Sequence, residues 1–87
     1  MPSSQYRGVH FYKRTGRWEV KIKCAERDPD RRFNLGMFAD EEEAARVYDA
    51  VALELRGNDA VLNFDGKPPV NWCLADVHNL MRKVGLL

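Results

Sequence analysis

Apolar residues recur at every second position along residues 17–24 of this chain, and from Asp40 they recur at every third or fourth, so the chain changes from strand to helix between the two. The stretch Arg17-Trp18-Glu19-Val20-Lys21-Ile22-Lys23-Cys24 alternates without a fault. Trp18, Val20, Ile22 and Cys24 point one way, and Glu19, Lys21 and Lys23 the other. One face of such a strand is core and one is wet. Before it, Tyr6-Arg7-Gly8-Val9-His10-Phe11-Tyr12-Lys13 is rich in aromatic and β-branched residues and is closed by Arg14-Thr15-Gly16, which predicts the first arm of a hairpin. After it, the turn cluster Arg27-Asp28-Pro29-Asp30 leads to a third strand predicted over 31–38, with Phe33 and Leu35 on the core face and Arg32 and Asn34 on the wet face. Connections this short exclude parallel crossovers, so the strands form an antiparallel meander.

Asp40 is a good N-cap, and Glu41, Glu42 and Glu43 place negative charge where the helix dipole favours it. The helix is predicted to run to Arg56, with Gly57 as its left-handed stop. Its buried stripe is Ala44, Ala45, Tyr48, Val51, Ala52 and Leu55, whose alanines allow a close approach to the sheet. Val61, Leu62 and Phe64 are expected to form a short extended piece closing the edge of the core. The breaker cluster Gly66-Lys67-Pro68-Pro69 then precedes a second amphipathic helix predicted over 72–84, with Trp72, Val77, Leu80, Met81 and Val84 apolar. The expected fold is therefore α+β: a three-stranded antiparallel β-sheet packed on one long α-helix, with an additional short C-terminal helix. Residues 5–64 are expected to form the domain and 65–87 an extension, which either packs on the domain or begins a linker.

Charge is distributed along the same division. Residues 1–36 hold nine Lys/Arg against four Asp/Glu, a net of +5, whereas residues 37–66 hold two against eight, a net of −6. The formal net charge of +1 conceals a dipole that draws a polyanion to one side only. Other classes find little support. At 87 residues there is room for one domain with a small core. No apolar run approaches the roughly 20 residues of a spanning helix, and the first five residues lack the regions of a signal peptide, which makes an intracellular protein the expectation. Cys24 and Cys73 are far apart and are read as reduced thiols. Neither His10 nor His78 has a partner at catalytic or ligand spacing, and the acids at 41–43 are explained by a solvated first helical turn. No metal, cofactor or catalytic residue is expected, and the chain is not expected to be an enzyme.

The wet face collects Arg7, Glu19, Lys21, Lys23 and Arg32, with Arg14 and Arg17 at the hairpin. Cations two residues apart on neighbouring strands can reach successive phosphates, and an extended ribbon can enter a major groove; a merely solvated sheet face is the alternative. Glu19 either accepts from a cytosine amino group or holds Arg7 or Arg17 in place, and the second role is favoured. Tyr12 and Asn34 are candidates for base or backbone contact. Trp18 suggests base stacking, but its parity places it in the core, as do the positions of Tyr48 and Phe38. Arg27 and Arg31 are assigned to the loop.

The motifs Tyr6-Arg7-Gly8-Val9, Gly16-Arg17-Trp18, Leu35-Gly36-x-Phe38, Glu43-Ala44-Ala45-Arg46-x-Tyr48-Asp49, Leu55-Arg56-Gly57 and Ala60-x-Leu62-Asn63-Phe64 resemble, in order and spacing, the plant Apetala-two / ethylene-responsive-factor DNA-binding domain. The resemblance runs from Ser3 to Phe64. It implies a three-stranded sheet on one helix, the sheet lying in the major groove of double-stranded DNA, and a role in a nuclear transcription factor. Arg7 matches the family's first-strand DNA-contacting arginine, Arg17 its basic hairpin position, and Lys23 and Arg32 keep the charge of second- and third-strand contacts. Members that read GCC-type elements tend to carry arginines where His10 and Tyr12 stand, a glutamate where Lys21 stands and a tryptophan where Asn34 stands. The hairpin looks more like the Apetala-two branch, so a GCC-type target is not implied. The sites implied for DNA are Arg7, His10, Tyr12, Arg14, Arg17, Glu19, Lys21, Lys23, Arg32 and Asn34, with Arg7, Arg17, Lys21 and Arg32 as candidates for base edges. Monomeric binding is expected, since no heptad suggests a partner. The alternatives are a DNA-addressing module of a homing endonuclease and an RNA- or protein-binding sheet.

Overall fold

The computed structural model describes residues 5–24 and 28–87. Three strands, β1 (Val9–Tyr12), β2 (Arg17–Cys24) and β3 (Asp28–Phe38), form an antiparallel sheet in the order β1-β2-β3. A helix α1 (Glu41–Arg56), a 3-10 turn (Gly57–Asp59) and a second helix α2 (Leu74–Val84) follow. This is the α+β arrangement expected from the sequence.

Alternation along β2 becomes burial: Val20 and Ile22 are buried, while Trp18 and Cys24 pack half-buried against the same core. Trp18 meets Phe11 edge-on at 5.0 Å. Trp18 therefore belongs to the core, as its parity predicts. On β3, Phe33 and Leu35 are buried as expected, but Phe38, three positions after Leu35, also packs on the core side. Strict alternation forbids that. A β-bulge reconciles them, because Asn34 pairs with Lys21 and Gly36 with Val20, leaving Leu35 as the extra residue. Gly36 takes φ +118°, a value that side-chain-bearing residues rarely adopt.

The boundaries differ from expectation in places. β1 starts at Val9 rather than Tyr6, because the Arg7 backbone bonds elsewhere, and β3 starts at Asp28, so residues 28–30 belong to an edge strand rather than a turn. Arg31 is accordingly not a loop charge: its guanidinium lies 4.5 Å over the Phe33 ring. The assignment of Arg27 falls outside the described residues.

α1 begins where the sequence places it, with an Asp40 carboxylate oxygen accepting from the Glu43 N–H at 3.4 Å, and ends at Gly57, whose N–H reaches the Leu53 carbonyl. Ala44, Ala45 and Ala52 are fully buried, which lets the helix lie close to β2 and β3. The buried face is broader than the expected stripe, since Val47, Asp49 and Ala50 are buried as well. Beyond α1, Leu62 and Phe64 are half-buried against the core, whereas Val61 is 54% exposed and residues 61–64 form no strand. The expected extended piece is instead a bend, fixed by hydrogen bonds to Asp49.

α2 packs on β3 and α1 through Val77 and Met81, with Leu86 buried beyond its end. It starts at Leu74, two residues after the expected Trp72. Trp72 stands ahead of it, 6.2 Å from Phe38. The Cys73 N–H donates to an Asp76 carboxylate oxygen at 2.8 Å, and that bond holds the Asp76 carboxyl below the usual carboxylate range. Both cysteines are free.

Candidate nucleic-acid interface

The face of the sheet turned away from α1 carries nearly every candidate picked from the sequence, and pairing sets them in rows. His10 lies opposite Glu19, which lies opposite Met37; Tyr12 pairs with Arg17, Lys21 with Asn34, and Lys23 with Arg32. Side chains two apart on β2 stand about 6.8 Å apart, and neighbouring strands are about 4.8 Å apart. Arg17, Lys21, Lys23 and Arg32 thus form a grid of cations. Arg14 sits in the hairpin turn, exposed, beside the end of this face.

Glu19 is where the sequence reading needs correction. The favoured expectation has its carboxylate holding Arg7 or Arg17, but one oxygen lies 3.3 Å from the Lys21 Nζ and the other accepts from the Asn34 Nδ2 at 3.2 Å. Strand register explains this, since Lys21 is two residues along β2 and Asn34 is across from Lys21. Asn34 is itself fixed, with its Oδ1 accepting from the Gly36 N–H at 2.8 Å. Lys21, Glu19, Asn34 and the bulge therefore form one connected network at the centre of the face. Both Glu19 oxygens are engaged, so a cytosine amino group must compete with them.

Arg7 lies ahead of β1 and is held by its backbone. Its N–H donates to the Asn63 Oδ1 at 2.7 Å, and its carbonyl accepts from the Asn63 Nδ2 at 3.1 Å. Asn63 is held in turn: its own N–H donates to one Asp49 oxygen at 2.7 Å, and the Phe64 N–H donates to the other at 2.6 Å. Asp49 is fully buried, so both bonds are shielded from water. A carboxylate on the core side of α1 thereby sets where Arg7 starts the wet face. Phe64 completes the arrangement, with Tyr6 5.2 Å away on one side and the Arg46 guanidinium 4.4 Å over its ring.

Because β1 begins late, the edge of β2 beside Lys23 lacks a strand partner. Arg56, in the last turn of α1, takes that place: its Nη2 donates to the Lys23 carbonyl at 2.6 Å and its Nη1 to the Tyr48 hydroxyl at 3.4 Å. The result is a cleft of about 410 Å³ whose walls include Arg7, Lys21, Lys23, Arg32, Arg56 and Tyr48. Among the described residues lining it there is no carboxylate. Five cations around one cleft make a strongly positive concavity, suited to a phosphate group.

The sequence reading missed four contributors. Asp49 and Asn63 act through backbone bonds that carry no periodic signal, and Arg56 looked like an ordinary last-turn charge. Met37 was hidden by parity, although an isolated glycine inside a strand pattern is the usual mark of a bulge and stood at Gly36.

Comparison with known proteins agrees with this architecture. A family model described as the AP2 domain matches residues 4–58. An APETALA2-like protein 2 from Oryza sativa subsp. indica is 41% identical over 88 residues, covering 93% of this chain and 19% of its own length. The AP2-like ethylene-responsive transcription factors TOE2 and ANT of Arabidopsis thaliana are 50% and 43% identical, over 71% and 72% of this chain and 12% and 11% of theirs. The chain thus spans a fifth or less of the length of these relatives. A family model covering well over half of the residues, and relatives at this identity, decide the assignment: the chain belongs to the AP2 domain family.

Proposed function

We propose that this chain is the sequence-specific double-stranded DNA-binding domain of a nuclear transcription factor, acting by binding rather than catalysis, as a monomeric domain. The wet face of the sheet lies in the major groove. The observation that carries this reading is the grid of Arg17, Lys21, Lys23 and Arg32 on one exposed face, continuous with the cationic cleft around Arg7 and Arg56. The outer strands stand about 10 Å apart, comparable with a major groove about 12 Å wide. The names of the relatives, which describe transcription factors, point the same way.

Within this reading, Arg14, Lys23 and Arg56 hold phosphates and fix the register, while Arg7, Arg17, Lys21 and Arg32 meet base edges. His10 and Tyr12 border the same groove from β1. Asn34 and Glu19 act mainly by holding Lys21. Selection from a random duplex pool is expected to return one motif, bound with a steep salt dependence and in preference to single strands or RNA. Arg7→Ala is expected to lose about 1–3 kcal/mol of discrimination at one base pair. Equal binding to duplex, single strand and RNA, or an Arg7→Ala variant with unchanged affinity and specificity, contradicts the assignment.

A further inference from the structure

Met37 stands on the wrong face for an apolar residue. The even-numbered Arg32 and Asn34 face solvent on β3, and unbroken alternation would turn Met37 inward with Phe33 and Leu35. The bulge at Leu35 and Gly36 reverses the phase beyond it, so that Met37 pairs with Glu19 on the wet face while Phe38 pairs with Trp18 on the core side. The reversal is built in. Gly36 adopts φ +118°, and its N–H is tied to the Asn34 Oδ1 at 2.8 Å. The thioether is also placed against the hairpin, its Sδ 3.6 Å from the Thr15 Oγ1.

A half-buried methionine on the outer strand of a cationic face gains nothing from phosphates, and its sulfur is a weak acceptor. Its neighbour Glu19 is already engaged on both oxygens by Lys21 and Asn34. In a major groove the base edges offer one apolar feature, the 5-methyl group of a pyrimidine. We infer that Met37 is a specificity-determining residue whose thioether packs on a pyrimidine 5-methyl group, that of thymine or of 5-methylcytosine. The inference rests on the proposal that this face reads duplex DNA and names a chemical group it reads.

The test uses the duplex selected by the parent chain, with each thymine replaced in turn by deoxyuridine and each cytosine by 5-methylcytosine. Removing the methyl at one thymine, or adding it at one cytosine, is expected to change the parent's affinity about fourfold, the effect of burying one methyl group. The first substitution weakens binding and the second strengthens it, which distinguishes the two sources. Met37→Ala is expected to abolish the methyl dependence and Met37→Leu to retain it, with thermal melting confirming that both variants fold. A site at which no methyl changes parent affinity overturns the inference, as does a methyl dependence that survives in Met37→Ala. Either result leaves duplex binding itself standing. A parent chain that selects no duplex overturns the inference together with the reading beneath it.

Discussion

Replacing Asp49 with alanine is expected to destabilise the domain by about 3–5 kcal/mol, measured by urea unfolding with tryptophan fluorescence. The carboxylate is fully buried and accepts from two backbone amides, those of Asn63 and Phe64. A hydrogen bond to a charged group contributes about 1.5–3 kcal/mol, and an amide left without a partner carries a further desolvation cost. A chain of 87 residues has a total stability of about 4–13 kcal/mol, so this one change removes a large share of it. Asp49→Asn is expected to cost less, because it keeps the shape and one acceptor while turning an amino group toward the second amide. A loss below about 1 kcal/mol for Asp49→Ala contradicts the clamp. The consequence for the interface is indirect, because a released Asn63 no longer fixes the Arg7 backbone.

Gly8→Ala is expected to have an effect of similar size for a different reason. Gly8 adopts φ +80°, which costs a side-chain-bearing residue about 1–2 kcal/mol by itself. A Cβ there would also collide with the Cδ2 and Cε2 atoms of Tyr48 and stand 3.0 Å from the Lys21 carbonyl oxygen. The Tyr48 ring is part of the core and cannot retreat without disturbing α1. Strain and overpacking together are expected to cost roughly 3 kcal/mol or more. Gly16 provides the control: its φ is +66°, but a Cβ would meet nothing within 4 Å, so Gly16→Ala is expected to cost about 1–2 kcal/mol. Equal thermal destabilisation by the two substitutions contradicts the close packing of Tyr48 beneath Gly8.

The fold was largely legible because its signals are local. Trp18, Val20 and Ile22 give the strand period directly, Asp40 and Gly57 mark the ends of α1, and Ala44, Ala45 and Ala52 announce a close helix–sheet contact. Legibility ended where backbone groups make the contacts. Asp49 bonds residues 14 and 15 positions away, and Arg56 reaches a carbonyl 33 positions away, spacings with no periodic signature. The candidate face was legible for the same local reason as β2, since parity alone separates Lys21 and Lys23 from Val20 and Ile22. It was not legible across the bulge, where one extra residue exchanged the faces of all that followed and brought Met37 outward. The partners of Glu19 also required the register, because only cross-strand pairing shows that Asn34 stands beside Lys21.

The central claim is that one face of the sheet carries the nucleic-acid contacts, and a comparison of two charge-removed variants tests it. In one, Arg17, Lys23 and Arg32 become alanine; in the other, Arg82 and Lys83 of α2 become alanine. Affinity for the selected duplex is measured by fluorescence anisotropy across a salt series. The first variant is expected to lose at least about 100-fold in affinity, as two base-edge contacts and one phosphate contact are lost, and the slope of log K against log salt to fall by about 0.9 for the Lys23 phosphate contact. The second is expected to stay within about twofold of the parent with an unchanged slope. Equal losses in the two variants, or an unchanged slope in the first, would contradict a single reading face.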